Sequence, residues 1–139
     1  MVDKKIVLKH LDELEKCIKQ LSKHKDCTVR QLLSDFDLRW AVERGLQLAI
    51  QNVLDISSHI LVDLGANGLD DYTSIIDQLG VKGIIPKDFA KKIRGMAGLR
   101  NVLVHDYVDI DTQKLHSYVV TGLDDFKQFA KYITDHLHK

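Results

Sequence analysis

The chain has 139 residues, enough for a single domain spanning 1–139 whose core needs neither a disulfide nor a metal ion. Its 20 basic and 20 acidic side chains balance, so any contact with nucleic acid must be local rather than made through a general positive field. With two cysteines, no signal-peptide pattern and no apolar run of the roughly 18 residues that a membrane span needs, we expect a cytoplasmic protein without structural zinc.

Helical periodicity dominates the first half of the chain. Apolar residues recur at steps of three and four over 7–21, which predicts a first helix that ends at the polar segment after it. Thr28 can cap a short segment at 29–33. A wide apolar surface over about 35–64 predicts a long helix with more than one neighbour, ended by the glycines of 65–68.

The second half continues the helical pattern. A short helix is predicted over 72–79, and Pro86 is predicted as the first residue of a helix that runs to about Val104. The last helix begins after Asp109 or Asp111. Its apolar face consists of Leu115, Val119, Gly122, Phe126, Ala130, Ile133 and Leu137. Because no segment alternates as a strand does, the predicted fold is an all-α, antiparallel, four- to five-helix up-and-down bundle.

One arginine lies within an apolar helix face. On a helical wheel of about 100° per residue, Arg100 falls in the middle of an arc of apolar side chains. These are Ile93, Met96, Ala97, Leu99, Leu103 and Val104. A buried guanidinium needs an anionic or hydrogen-bonding partner. Glu43 on the long helix is the candidate within the chain, and a bound phosphate would serve equally well.

A polar stripe runs along the same helix. Arg94, Gly98, Asn101 and His105 follow one another at steps of four, three and four residues. A glycine inside a helix costs roughly 1 kcal/mol relative to alanine. The cost at Gly98 therefore suggests that a backbone or a ligand approaches closely there.

Arg100 and His105 do not share a face of an ideal helix. They are five residues apart, which separates them by about 140° around the axis. They can converge if the helix ends or distorts before His105, or if a second copy of the domain completes the site. The second possibility implies a dimer. As separate residues, each would be a satisfied core or capping side chain.

The segment RNVLVHDY, residues 100–107, resembles the R-x4-H-x-Y motif of the HepT-like toxins, a branch of the HEPN superfamily. The resemblance extends to the long helix that begins near Asp35 and to the block at 95–111. It implies a HEPN-like homodimer and a metal-independent endoribonuclease without a cofactor. In such an enzyme, Arg100 and His105 would be catalytic and Asn101 would support them.

The resemblance also implies a partner. HepT-like toxins are often encoded beside a minimal nucleotidyltransferase antitoxin, which adenylylates the motif tyrosine, here Tyr107, in a type VII-like toxin–antitoxin pair. The alternative is a non-catalytic HEPN-like module that binds nucleotides or a nucleotidyltransferase. In that case Arg100 and His105 would hold a nucleotide phosphate or the surface of the partner.

Three further groups have competing interpretations. A local basic patch is either suited to an RNA backbone or a solvated helix face; it consists of Lys87, Lys91, Lys92 and Arg94. Asp55, His59 and Asp63, four residues apart, form an exposed charged face rather than a metal site, because no partner cluster exists elsewhere. Trp40 is interpreted as a core or interface residue.

Overall fold

The computed structural model describes residues 3–105 and 110–139, and all regular structure within these ranges is helical. The helices in chain order are α1 (Lys4–Ser22), α2 (Val29–Ser34), α3 (Phe36–Asp63), α4 (Tyr72–Val81), α5 (Lys87–Ile93), α6 (Gly95–His105), α7 (Thr112–Val120) and α8 (Gly122–Leu137). The all-α prediction is confirmed, but the described residues form more helices than the four to five predicted.

The first three helices begin and end where local side chains set their limits. The Asp3 side chain accepts hydrogen bonds from the first turn of α1, and Thr28 forms a reciprocal capping box with Gln31 at the start of α2. Asp35 caps α3, which ends before Gly65, a residue with φ of 76°. The predictions for this half of the chain are confirmed.

The long helix α3 is the centre of the bundle. It packs against α1, α2, α4, α6, α7 and α8, as its wide apolar surface predicts. Phe126 and Phe129 of α8 are the largest fully buried side chains. Along the predicted apolar face of the last helix, every residue is buried except Ala130, which is half-buried against the core. α6, which carries Arg100, packs against the same long helix.

The helix predicted from Pro86 to Val104 is broken at Arg94. Pro86 precedes the first turn as the N-cap, and α5 ends at Ile93. The Ala97 amide donates to the Arg94 carbonyl at 3.3 Å, one residue closer in sequence than an α-helical bond requires. α5 packs against α4 and α6 packs chiefly against α3, which a continuous periodicity does not reveal.

The predicted last helix is also broken, at Thr121. Its backbone has φ of −111° and ψ of −26°, and its hydroxyl donates to the Ser117 carbonyl at 2.7 Å. A Cβ on Gly122 would lie 3.3 Å from the ring of Tyr118, so the start of α8 lies directly against this side chain. No helix in the described part of the chain is both long and apolar enough to cross a membrane.

Candidate functional site around Arg100

Three helices position the guanidinium of Arg100. The residue is half-buried on α6, and its Nε donates a hydrogen bond to Oε1 of Gln51 on α3 at 3.1 Å. Its Nη1 donates to Oδ1 of Asn101 at 3.2 Å. The guanidinium carbon lies 4.7 Å from the centroid of the Tyr72 ring, at the start of α4. The group is thus held at the junction of α3, α4 and α6.

The partner predicted for Arg100 within the chain is wrong. Oε2 of Glu43 lies 3.3 Å from Nε of Arg39, whereas Arg100 bonds to Gln51, eight residues farther along α3. Eight residues correspond to about 12 Å along a helix. The register between α3 and α6, which no local pattern contains, places a neutral amide opposite Arg100 instead of a carboxylate.

The charge of Arg100 has no counter-charge among residues 3–105 and 110–139, because no carboxylate there lies within ion-pair distance of it. A guanidinium carries five N–H donors, and the bonds to Gln51 and Asn101 use two of them. Both N–H groups of Nη2 and one of Nη1 are left without a partner in these ranges. Phosphate oxygens are well suited to such a planar donor edge.

His105 is the last residue of α6 and is exposed. The helix runs without interruption from Gly95 to His105, so a distortion before His105 is not observed. Asn101 accepts a hydrogen bond from Arg100 and lies one helical turn before His105 in the sequence of α6. One uninterrupted α6 keeps Arg100 and His105 about 140° apart around its axis.

Gly98 faces open space rather than a close neighbour. It is exposed, and a Cβ built on it would meet nothing within 4 Å. The close approach expected there is therefore not made by the described part of this chain. A cavity of about 530 Å³ lies beside it, between α6 and α7, and its lining includes Gly95, Gly98, Leu99, Val102, Lys114 and Tyr118.

The predicted basic patch is partly neutralised. Its four side chains are exposed at α5 and the turn after it, but Lys92 pairs with Asp125 at 3.1 Å. Nε and Nη2 of Arg94 donate to the two carboxylate oxygens of Asp77, each at 3.1 Å. These bonds raise the pKa of the Arg94 guanidinium. The patch therefore supplies less positive charge than its sequence indicates.

The remaining predicted residues are dispersed. Gln51 donates to Asp55, and the His59 ring lies 5.9 Å from that of His10. Within the ranges described, no three His, Cys, Asp or Glu side chains group as metal ligands would.

Trp40 is 69% exposed, so the interpretation as a core residue is wrong and the interpretation as an interface residue remains. Tyr107 lies outside the described residues.

The family model described as Ribonuclease HepT-like matches residues 7–133 of the chain. The chain belongs to this family. A relative named "tRNA nuclease HepT", from Aphanizomenon flos-aquae, is 30% identical over 132 residues, covering 95% of this chain and 90% of the relative. The "mRNA nuclease HepT" of Shewanella oneidensis is 27% identical over 133 residues, with coverage of 92% and 96%.

Solved structures of toxin–antitoxin complexes superpose on most of the bundle. A tri-AMPylated HEPN toxin of Shewanella oneidensis, in complex with its MNT antitoxin, matches with a TM-score of 0.84 and 26% identity. The match covers 97% of this chain and 99% of the toxin. A toxin–antitoxin structure with AMP-PNP gives a TM-score of 0.86 at 25% identity, with 94% and 98% covered. The HEPN-like fold expected from the motif is therefore confirmed.

Proposed function

We propose that the chain is a metal-independent endoribonuclease toxin that cleaves RNA at Arg100 and His105. The observation that carries the proposal is the guanidinium of Arg100, a half-buried cation held only by neutral groups among the described residues. Membership of a ribonuclease family supports RNA as the ligand whose phosphate supplies the missing negative charge. The relatives named as tRNA and mRNA nucleases support the same activity.

The chemistry needs no group beyond these side chains. The 2′-hydroxyl of RNA is the nucleophile, so cleavage requires a base, a proton donor and stabilisation of the phosphorane charge. The imidazole of His105 can accept the proton of the 2′-hydroxyl or donate a proton to the departing 5′-oxygen. Arg100 binds the phosphate oxygens through its Nη groups, and the reaction leaves a 2′,3′-cyclic phosphate and a 5′-hydroxyl.

A second copy of the chain completes the site in this proposal. Since α6 is uninterrupted, Arg100 and His105 of one copy diverge, whereas two copies facing each other would supply a convergent pair. The open space at Gly98 and the exposed Trp40 are consistent with surfaces that a partner covers. We expect a homodimer at micromolar concentration by analytical ultracentrifugation. A monomer there would contradict the shared cleft.

Cleavage of RNA in the presence of EDTA tests the activity directly. Purified protein should cut RNA under these conditions and leave 2′,3′-cyclic phosphate ends. The Arg100→Ala and His105→Ala variants should each lose cleavage while remaining folded. For His105→Ala the fold should be kept because the side chain is exposed. Cleavage that requires added metal would refute the mechanism. No cleavage, together with tight binding of a nucleotide, would favour the non-catalytic module.

The proposed partner is a minimal nucleotidyltransferase that adenylylates Tyr107. The AMPylated toxin–antitoxin complex among the structural matches supports this kind of control. An AMP group at the motif would add negative charge beside Arg100 and compete with the RNA phosphate. Co-expression with the nucleotidyltransferase should raise the intact mass by one or more AMP units, and Tyr107→Phe should abolish the increase. A modified protein that cuts RNA at the full rate would contradict this control.

A further inference from the structure

We propose that Gln51 and Tyr72 are positioning residues that orient the guanidinium of Arg100, with Asp55 fixing the orientation of Gln51. The inference rests on the proposed function, because it assigns these side chains to the same RNA-cleaving site. None of them lies in the motif at 100–107. They are contributed by α3 and α4, the two helices against which α6 packs.

Asp55 determines which end of the Gln51 amide faces Arg100. Nε2 of Gln51 donates to Oδ1 of Asp55 at 2.9 Å, one turn along α3. An ionised carboxylate only accepts hydrogen bonds, so it takes the NH₂ end of the amide. The Gln51 carbonyl oxygen is then directed at Nε of Arg100, 3.1 Å away. The two hydrogen bonds therefore run in the same direction: Arg100 donates to Gln51, and Gln51 donates to Asp55.

Tyr72 supplies a second, independent constraint. Its ring lies under the guanidinium, with 4.7 Å between the guanidinium carbon and the ring centroid. A cation over an aromatic face is attracted by the negative charge of that face, so this contact restrains the guanidinium without placing an anion beside it. The ring is itself held at the first turn of α4, where Asp71 accepts from the Ser74 amide at 2.7 Å.

Together these contacts fix the guanidinium without neutralising it. Gln51 occupies Nε and Tyr72 lies against the guanidinium, so among the described residues nothing occupies the Nη2 side, which a phosphate could reach. A carboxylate in place of the amide would hold the group equally well but would compete with the phosphate for its charge. A neutral acceptor at position 51 therefore holds Arg100 without taking up its charge.

The test compares cleavage by matched variants at saturating and limiting RNA. Gln51→Met keeps the length of the side chain but removes the acceptor, and Tyr72→Leu removes the ring. Each should lower kcat by about 10- to 100-fold, with KM changed less than about threefold, because a misplaced guanidinium loses transition-state contacts. Tyr72→Phe retains the ring and should restore the kcat of the unmodified protein.

A neighbouring amide provides the control. Oδ1 of Asn52 lies 2.9 Å from Nδ1 of His10 on α1, so Asn52→Leu removes a comparable interhelical bond that does not involve Arg100. It should lower thermal stability as much as Gln51→Met does and leave kcat unchanged. Equal kcat in the unmodified, Gln51→Met and Tyr72→Leu proteins would overturn the proposal. Should Gln51→Met not fold, the two Tyr72 variants decide the question.

A measurement without RNA separates this proposal from the proposed function. The Nε–Hε signal of Arg100 in a ¹H–¹⁵N NMR spectrum, identified by its loss in Arg100→Lys, should exchange slowly with water. Gln51→Met should accelerate that exchange at least about tenfold, because the hydrogen bond is lost. Unmodified protein that shows this behaviour but cuts no RNA would refute the nuclease alone. Rapid exchange in the unmodified protein would refute the positioning of Arg100.

Discussion

Arg39 and Arg100 lie in two regions of the bundle that use the same side chain differently. Nε of Arg39 pairs with Glu43 at 3.3 Å, while its Nη1 donates to Oγ1 of Thr112 at 2.8 Å. Its Nη2 donates to the Ile110 carbonyl at 3.0 Å. Every nitrogen of this guanidinium therefore has a partner in the chain, and together they fasten the start of α7 to α3.

Arg100 differs in both its charge balance and its donors. Its partners are neutral, and Nη2 has none within the described ranges. Arginine in a bundle is thus structural where the chain itself supplies the anion and the remaining acceptors. Where the described residues hold the group with neutral partners and leave one of its edges unbonded, the side chain is suited to a ligand.

The most direct test of this comparison is to replace each arginine by alanine and measure the free energy of unfolding. Arg39→Ala should lower the free energy of unfolding by about 2–3 kcal/mol, because it removes a partly buried ion pair with Glu43 and both hydrogen bonds to the start of α7. Arg100→Ala should change it by less than about 1 kcal/mol, since only neutral partners are lost. Urea unfolding monitored by circular dichroism gives both values. Equal losses would remove the distinction.

Gly80 and Gly98, both within helices, give a second comparison, because a Cβ on Gly80 would meet another helix and a Cβ on Gly98 would meet no described residue. A Cβ on Gly80 would lie 2.9 Å from Cβ of Ala90, because α4 and α5 touch there. Gly80→Ala should therefore cost about 1–3 kcal/mol by forcing the two helices apart. Thermal unfolding checks this, with Ala90→Gly as the compensating change that should recover part of the loss. An unchanged melting temperature would show that the contact is not close.

The smallest expected effect is at Gly98, where the described residues leave open space. Gly98→Ala should stabilise the isolated chain by about 0.5–1 kcal/mol, because alanine loses less backbone freedom in a helix. If a second copy or RNA occupies that space, cleavage should fall while stability rises. Parallel unfolding and cleavage assays test this. Greater stability with full cleavage would mean that nothing uses the space.

The sequence predicts those parts of the fold that local side chains determine. Thr28 and Asp35 are capping residues next to apolar periodicity, so the starts of α2 and α3 follow from nearby residues. The breaks at Arg94 and Thr121 do not, because the apolar spacing continues across both. They depend on where another helix lies, which is tertiary information.

The candidate site divides in the same way. The position of Arg100 in an apolar arc follows from the helical wheel, and its motif indicates the family. Its partner does not, because Gln51 and Glu43 both lie on α3 and only the register of α3 against α6 distinguishes them. Tyr72 belongs to a separate short helix, so its cation–π contact with Arg100 likewise has no signal in the local pattern.

The side chain of Tyr118 lies against the first residue after each helix break, Gly95 and Gly122. Its hydroxyl lies 3.3 Å from where a Cβ of Gly95 would be, and its ring lies 3.3 Å from the corresponding site on Gly122. Neither glycine can gain a side chain without a shift of this tyrosine, and its burial raises the pKa of its phenol. Positions 95, 118 and 122 should therefore covary among homologues, and an engineer who wishes to straighten either bend must redesign all three at once.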